Sequence, residues 1–239
     1  MSTVITELHP GSKVLSIEGG ETINRVPLIV LGMSKSNDSV VLLSNKVLNR
    51  MQMRPRFGIG DYFHSTIDDY LETVFMDFIP YSLKQTLVKT WIYAETSTEG
   101  ITAVRHKRRR VFLPSMNELG FGTMPMEGID YINALKAYFH TSSESIARFA
   151  AERGVYETRC YWTRSSPRSG MFYCVTSGGD GIVNEQYTRN VWIRPCFSVS
   201  VDTEVMPLTE LTGHDCYALI GIETKRVIQE DLFMRLMTL

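Results

Sequence analysis

Apolar and polar positions change their period several times along the chain. Near the amino terminus, residues 12–17, 26–31 and 39–43 are short apolar runs rich in β-branched side chains. Gly19-Gly20 and Ser36-Asn37-Asp38 separate them, and this pattern predicts three strands. A stretch rich in Arg, Met and Gly follows at 49–61 and has no assignable period. Ile67, Tyr70, Leu71, Val74, Phe75 and Phe78 then recur at 3, 4, 7, 8 and 11, the spacing of an amphipathic helix that Pro80 should stop. Asp68, Asp69 and Glu72 fall early in it, where the helix dipole favours carboxylates. Residues 88–94 and 110–113 read as strands paired through a long basic loop. Ser115-Met-Asn-Glu118 has capping-box spacing and should open a short helix, with further helices at 129–139 and 143–153. From 158 the chain is β again, at 158–164, 171–177, 182–183 and 190–201, with a Gly178-Gly179-Asp180-Gly181 turn between the middle two. A final apolar strand spans 216–222. The tail 225–239 reads as a helix with Ile228, Leu232, Phe233 and Leu236 as an apolar stripe, expected to dock on a second copy.

This succession reads as one α+β domain over 12–205, with an amino-terminal arm at 1–11 and a carboxy-terminal extension at 206–239. At 239 residues with 44% hydrophobic positions, the chain can build a core without disulfide or metal staples. Lys plus Arg number 25 against 26 acids, so no global field marks a general nucleic-acid binder. No apolar stretch is long enough to span a bilayer, and the first ten residues lack the features of a secretion signal. The expectation is synthesis in the cytosol.

Candidate chemistry is sparse. The five histidines and four cysteines show no metal-ligand spacing, so no metal and no cofactor is expected. Cys160, Cys174, Cys196 and Cys216 read as free buried thiols, although Cys160 and Cys174 could face each other across a hairpin. Asp68, Asp69, Glu72 and Asp77 read as the solvated face of their helix. Arg105, Lys107, Arg108, Arg109 and Arg110 fall within six positions. They read either as a patch for an anionic partner, gripped by guanidinium forks, or as a solubilising hairpin loop. No recognition helix accompanies them, which argues against sequence-specific nucleic-acid binding.

Between 161 and 195 the sequence becomes distinctive. Tyr161-Trp162-Thr163-Arg164-Ser165 is followed by Gly179-Asp180-Gly181-Ile182-Val183 and then Val191-Trp192-Ile193-Arg194-Pro195. This ordered Trp-x-Arg-Ser, Gly-x-Gly and Val-x-Arg-Pro set resembles a bacterial and phage domain family similar to C-type-lectin-like and sulfatase-modifying folds. The resemblance implies short twisted antiparallel sheets with several flanking helices. It also implies a structural role for Trp162, Arg164, Arg194 and Pro195, with both arginines buried. Tyr161, Thr163, Tyr173, Gln186, Tyr187 and Trp192 would then form an outward face suited to stacking sugars or anchoring a protein. By the same resemblance the chain is a non-enzymatic virion protein of a tailed phage. It would act as a homo-oligomer whose partners are other virion proteins or a host surface glycan or protein. A formylglycine-generating-type oxidase on the same fold is the alternative.

Overall fold

Long β-branched runs dictate the centre of the molecule. The computed structural model of the chain describes residues 2–9, 11–18, 24–34, 37–54, 61–98, 101–116, 118–119, 159–167, 170–176, 182–208 and 216–220. In chain order the first strands are β1 (Thr3–Val4), β2 (Lys13–Glu18), β3 (Asn24–Met33), β4 (Ser39–Ser44) and β5 (Arg50–Met51). Next come β6 (Thr90–Thr98), β7 (Ile101–Arg109), β8 (Val111–Phe112), β9 (Tyr161–Trp162) and β10 (Met171–Val175). The last are β11 (Ile182–Gln186), β12 (Val191–Trp192), β13 (Cys196–Ser200), β14 (Glu204–Pro207) and β15 (Cys216–Leu219). Among the described residues two short helices, α1 (Thr66–Glu72) and α2 (Tyr81–Thr86), join these strands in a strand-rich α+β architecture.

The strands form an eight-stranded sheet, ordered β1-β14-β15-β2-β3-β4-β13-β8, a five-stranded sheet, ordered β11-β10-β9-β12-β5, and the β6–β7 ribbon. Strand β4 is buried at every position, which is why its sequence is continuously apolar between two serines rather than alternating. The β3–β4 register shifts between Val30 and Gly32, and Gly32 takes a φ of 145° that a side chain would resist. Strands β1, β14 and β15 belong to the same sheet as β2, β3 and β4. The expected helices at 129–139 and 143–153, the turn at 178–181 and the tail at 225–239 lie outside the described residues.

Several local expectations are corrected. The helix expected through Phe78 ends at Glu72: Thr73 leaves helical dihedrals (φ −117°, ψ −84°), and its hydroxyl bonds back to the Asp69 carbonyl (2.5 Å). A 3-10 turn follows at Phe75–Asp77, and Pro80 caps the start of α2 rather than only stopping what precedes it. The run 105–109 is not a loop. It lies in β7, paired with β6 from Thr90↔Arg109 to Thr98↔Ile101, while Val111 and Phe112 pair with β13 instead. The strand expected over 190–201 is two strands in different sheets, broken at Ile193-Arg194-Pro195, where proline can donate nothing to a ladder.

The capping box forms as its spacing predicts. Glu118 N donates to Ser115 Oγ (3.1 Å) and Ser115 N to Glu118 Oε2 (2.8 Å). Both sheets and α1 share one apolar core that includes Leu42, Phe63, Leu71, Phe112, Trp162 and Phe172. Within it the fully buried Tyr62 hydroxyl accepts from Leu113 N (3.0 Å). Tyr62→Phe should therefore strand a buried donor and lower the unfolding free energy by about 1–3 kcal/mol. Urea unfolding checks this, and an unchanged midpoint would show that Leu113 N–H has another acceptor.

Candidate functional site

Two arginines organise the interior. Arg164 is fully buried just beyond β9. It donates from Nε to the Tyr93 carbonyl (2.7 Å) and from Nη1 to the Leu113 carbonyl (2.7 Å) and Glu118 Oε2 (2.6 Å), while Nη2 reaches Glu118 Oε1. Arg194 is also buried, with Nε on the Ser44 carbonyl (2.8 Å) and its guanidinium 5.1 Å from the centre of the Tyr161 ring. The Pro195 carbonyl accepts from Ser44 N (2.9 Å), and the Trp162 indole donates to the Met51 carbonyl (2.8 Å). These four residues join strands distant in sequence, and both arginines are buried as expected.

The basic run lies along β7 with Arg105 and Arg108 exposed, and much of its charge meets acids of the chain itself. Strand alternation sends Arg105, Lys107 and Arg109 to the face of β7 that covers residues 61–72. Asp61 accepts from Phe63 N (3.0 Å), His64 Nδ1 (2.5 Å) and Arg105 Nη1 (2.8 Å). Lys107 Nζ donates to the Phe63 carbonyl (3.1 Å). Arg109 grips Asp68 with Nε and Nη2 (2.8 and 2.6 Å), and Glu72 Oε1 accepts from the amides of Arg110 and Val111 (2.7 and 3.1 Å). Asp68 and Glu72 thus face the ribbon, not solvent, whereas Asp77 is exposed. Burial pushes the Asp68 carboxyl above the ordinary carboxylate range, against the two hydrogen bonds and the charge of Arg109. Arg108, on the other face of β7, donates to the Lys89 carbonyl and lies 6.0 Å from the Trp91 ring centre.

Among the described residues, the five-stranded sheet carries a partly exposed face. Pairing of Arg50 with Trp192, Trp192 with Tyr161, Tyr161 with Val175, Tyr173 with Asn184 and Met171 with Gln186 puts these residues on one face. Tyr161 and Val175 are buried at one end of it, and Thr163 is buried too. The expectation that Tyr161 and Thr163 face outward is corrected: β9 is an inner strand covered on both sides, so alternation there does not separate core from solvent. Toward the edges Asn184 and Gln186 are exposed, and Tyr173, Tyr187 and Trp192 are half-buried. Two guanidinium groups flank the indole, that of Arg159 at 4.7 Å and that of Arg50 at 5.8 Å from its centre. Arg159 and Asn184 follow the strand alternation of Tyr161 and Gln186, whereas Arg50 had no sequence signal, because it joins the face only through the pairing of β5 with β12.

On the opposite face of the sheet Cys174 pairs with Trp162, and Cys160 lies two residues before Trp162. All four cysteines carry free thiols. Burial pushes the Cys196 thiol well up. Among the described residues no three His, Cys, Asp or Glu side chains are grouped to hold a metal ion, and no helix is long and apolar enough to cross a membrane. Compared with known proteins, residues 37–201 match a family described as a domain of unknown function (DUF6273). No curated protein and no solved structure matches the chain.

Proposed function

The chain belongs to the DUF6273 family, and from that premise we propose that it is a non-enzymatic binding module with a C-type-lectin-like arrangement of sheets, whose ligand is an acidic glycan of a host surface. The observation that carries this reading is the indole of Trp192 with the Arg159 and Arg50 guanidinium groups beside it. Cation–π contact with the indole holds the two guanidinium groups in place, and guanidinium forks grip a sugar carboxylate in two places. The exposed amides of Asn184 and Gln186 on the same sheet face supply donors and acceptors for ring hydroxyls. A tailed-phage virion, displaying the domain in repeated copies, is the setting; this part rests on the Trp-x-Arg-Ser, Gly-x-Gly and Val-x-Arg-Pro resemblance alone.

The test is a printed array of bacterial surface glycans probed with the full chain and with Trp192→Ala. The parent should retain carboxylate-bearing glycans. Trp192→Ala should bind them at least about tenfold more weakly, a loss of roughly 1.4 kcal/mol, while its melting temperature stays near the parent's. A parent that binds no acidic glycan, or a variant that binds as well as the parent, overturns the reading. Antibody labelling of purified particles tests the virion setting separately.

A further inference from the structure

We propose that the outer face of the β6–β7 ribbon binds single-stranded nucleic acid without sequence preference, stacking a base on Trp91 and holding phosphates with Arg108 and Lys89. The ribbon's register assembles this face. Trp91 pairs with Arg108 and Tyr93 with His106, so the four side chains share one side. Trp91 is 40% exposed, where an indole that served only packing would be covered. The His106 ring meets it edge-on at 5.1 Å between centres and lies 5.8 Å from the Tyr93 ring. Arg108 sits 6.0 Å from the indole centre, and its Nε and Nη2 both donate to the Lys89 carbonyl (3.2 and 2.7 Å). These two bonds fix the guanidinium beside the indole, and among the described residues no acceptor engages Nη1.

The cations of this region fall into two sets. Arg105, Arg109 and Arg110 meet Asp61, Asp68 and Glu72. Among the described residues no carboxylate partners Arg108 or Lys89, and both are exposed. The acid that alternation puts on the outer face, Glu95, is buried farther along the ribbon. The exposed end is therefore a local positive surface on a chain of net charge -1, and it suits an anion. The rings decide which anion. Every base has a π face and every nucleotide a phosphate, so rings beside cations recognise both halves of a nucleotide. Trp91 and Tyr93 stand two residues apart on an extended strand, about 6.6 Å, so successive unstacked bases can meet successive rings. A duplex hides those base faces, and a base-free polyanion lacks them. Stacking is blind to base identity and needs no recognition helix.

Fluorescence anisotropy of a labelled oligothymidylate of about twelve nucleotides, titrated with the full chain at low salt, is the test. The parent should bind it at least roughly tenfold more tightly than a duplex or an inorganic polyphosphate of matched charge. Trp91→Ala should weaken binding at least roughly tenfold, and Trp91→Phe by much less, since Phe keeps a π face. Arg108→Gln should flatten the dependence of log K on log salt by about 0.7, the share of one phosphate contact on a single strand. Melting temperatures should stay near the parent's, because both side chains are exposed. Trp192→Ala, the variant that tests the glycan site, should bind the oligonucleotide as the parent does, so the two readings fail separately. A parent that does not bind, equal binding of duplex or polyphosphate, full affinity in Trp91→Ala, or a loss in Trp192→Ala as large as that in Trp91→Ala would each overturn the proposal.

Discussion

Arg164→Ala is expected to lower the free energy of unfolding by about 3–5 kcal/mol, the usual cost of breaking a buried ion pair from one side. Neither Arg164 nor Glu118 has any solvent exposure. The guanidinium also satisfies the carbonyls of Tyr93 and Leu113 and lies 5.4 Å from the centre of the Phe112 ring. Its removal leaves a buried carboxylate whose remaining named donor is Ser115 N, together with two carbonyls deprived of the guanidinium. The loss should fall on the urea midpoint, with an unchanged slope if unfolding stays two-state. A paired change, Arg164→Met with Glu118→Gln, should recover part of it, because the uncompensated charge is what costs most. A single variant that unfolds like its parent would mean that the segment after β9 is not anchored in this way. Tyr93 is in β6 and Leu113 directly follows β8, so one side chain ties the ribbon and the large sheet to the five-stranded sheet.

The second large effect is expected at Arg109. Asp68 has no exposed side-chain surface, and Arg109 supplies both a charge and two donors to it. Arg109→Met should cost about 3–5 kcal/mol at pH 7, since it leaves a buried carboxylate without its partner. The Asp68 carboxyl is already held above its ordinary range, and losing the partner raises it further. A carboxyl whose folded-state pKa exceeds its unfolded one adds most stability below the unfolded value. That contribution fades as pH rises through the folded value. The cost of Arg109→Met should accordingly shrink as the pH falls from 7 toward the ordinary carboxylate range, where Asp68 in the variant is neutral. Urea unfolding of parent and variant at several pH values checks this. A pH-independent difference, or one below about 1 kcal/mol, would show that the pair is screened by solvent, as surface pairs are.

How far these features were legible in the sequence depends on whether their cause is local. The runs at 12–17, 26–31 and 39–43 became β2, β3 and β4 with ends shifted by a few residues, because apolar content and β-branching are properties of the run itself. The Ser115–Glu118 box is likewise local and formed as written. The helix at 67–78 failed at Thr73, where a hydroxyl competing for the Asp69 carbonyl is invisible to an apolar period. The ribbon was misplaced because six consecutive polar residues look like a loop unless their counter-charges are known. Those counter-charges, Asp61, Asp68 and Glu72, lie some forty residues earlier. Acids and bases in near-equal number hinted at mutual neutralisation without indicating which would meet. The same limit applies at the candidate site. Trp192, Tyr173 and Gln186 were legible as a face and Arg159 shares the alternation of Tyr161, whereas Arg50 reaches the face only through strand pairing and Tyr161 is buried beside Arg194.

The order of strands in the large sheet also sets a schedule for the growing polypeptide. On a translating ribosome, β2, β3 and β4 emerge one after another and can pair as a meander at once. The outer rim of β2 then waits for β15, which follows far later in the chain and joins it in parallel, and β4 waits for β13. Throughout that interval the meander presents two bare ladders of N–H and C=O groups, the form of strand most prone to pair with a neighbouring chain. Contacts of such long sequence separation also close slowly. Final assembly is therefore a late event, and a stalled or shortened nascent chain would carry an open sheet edge for holdase chaperones to cover.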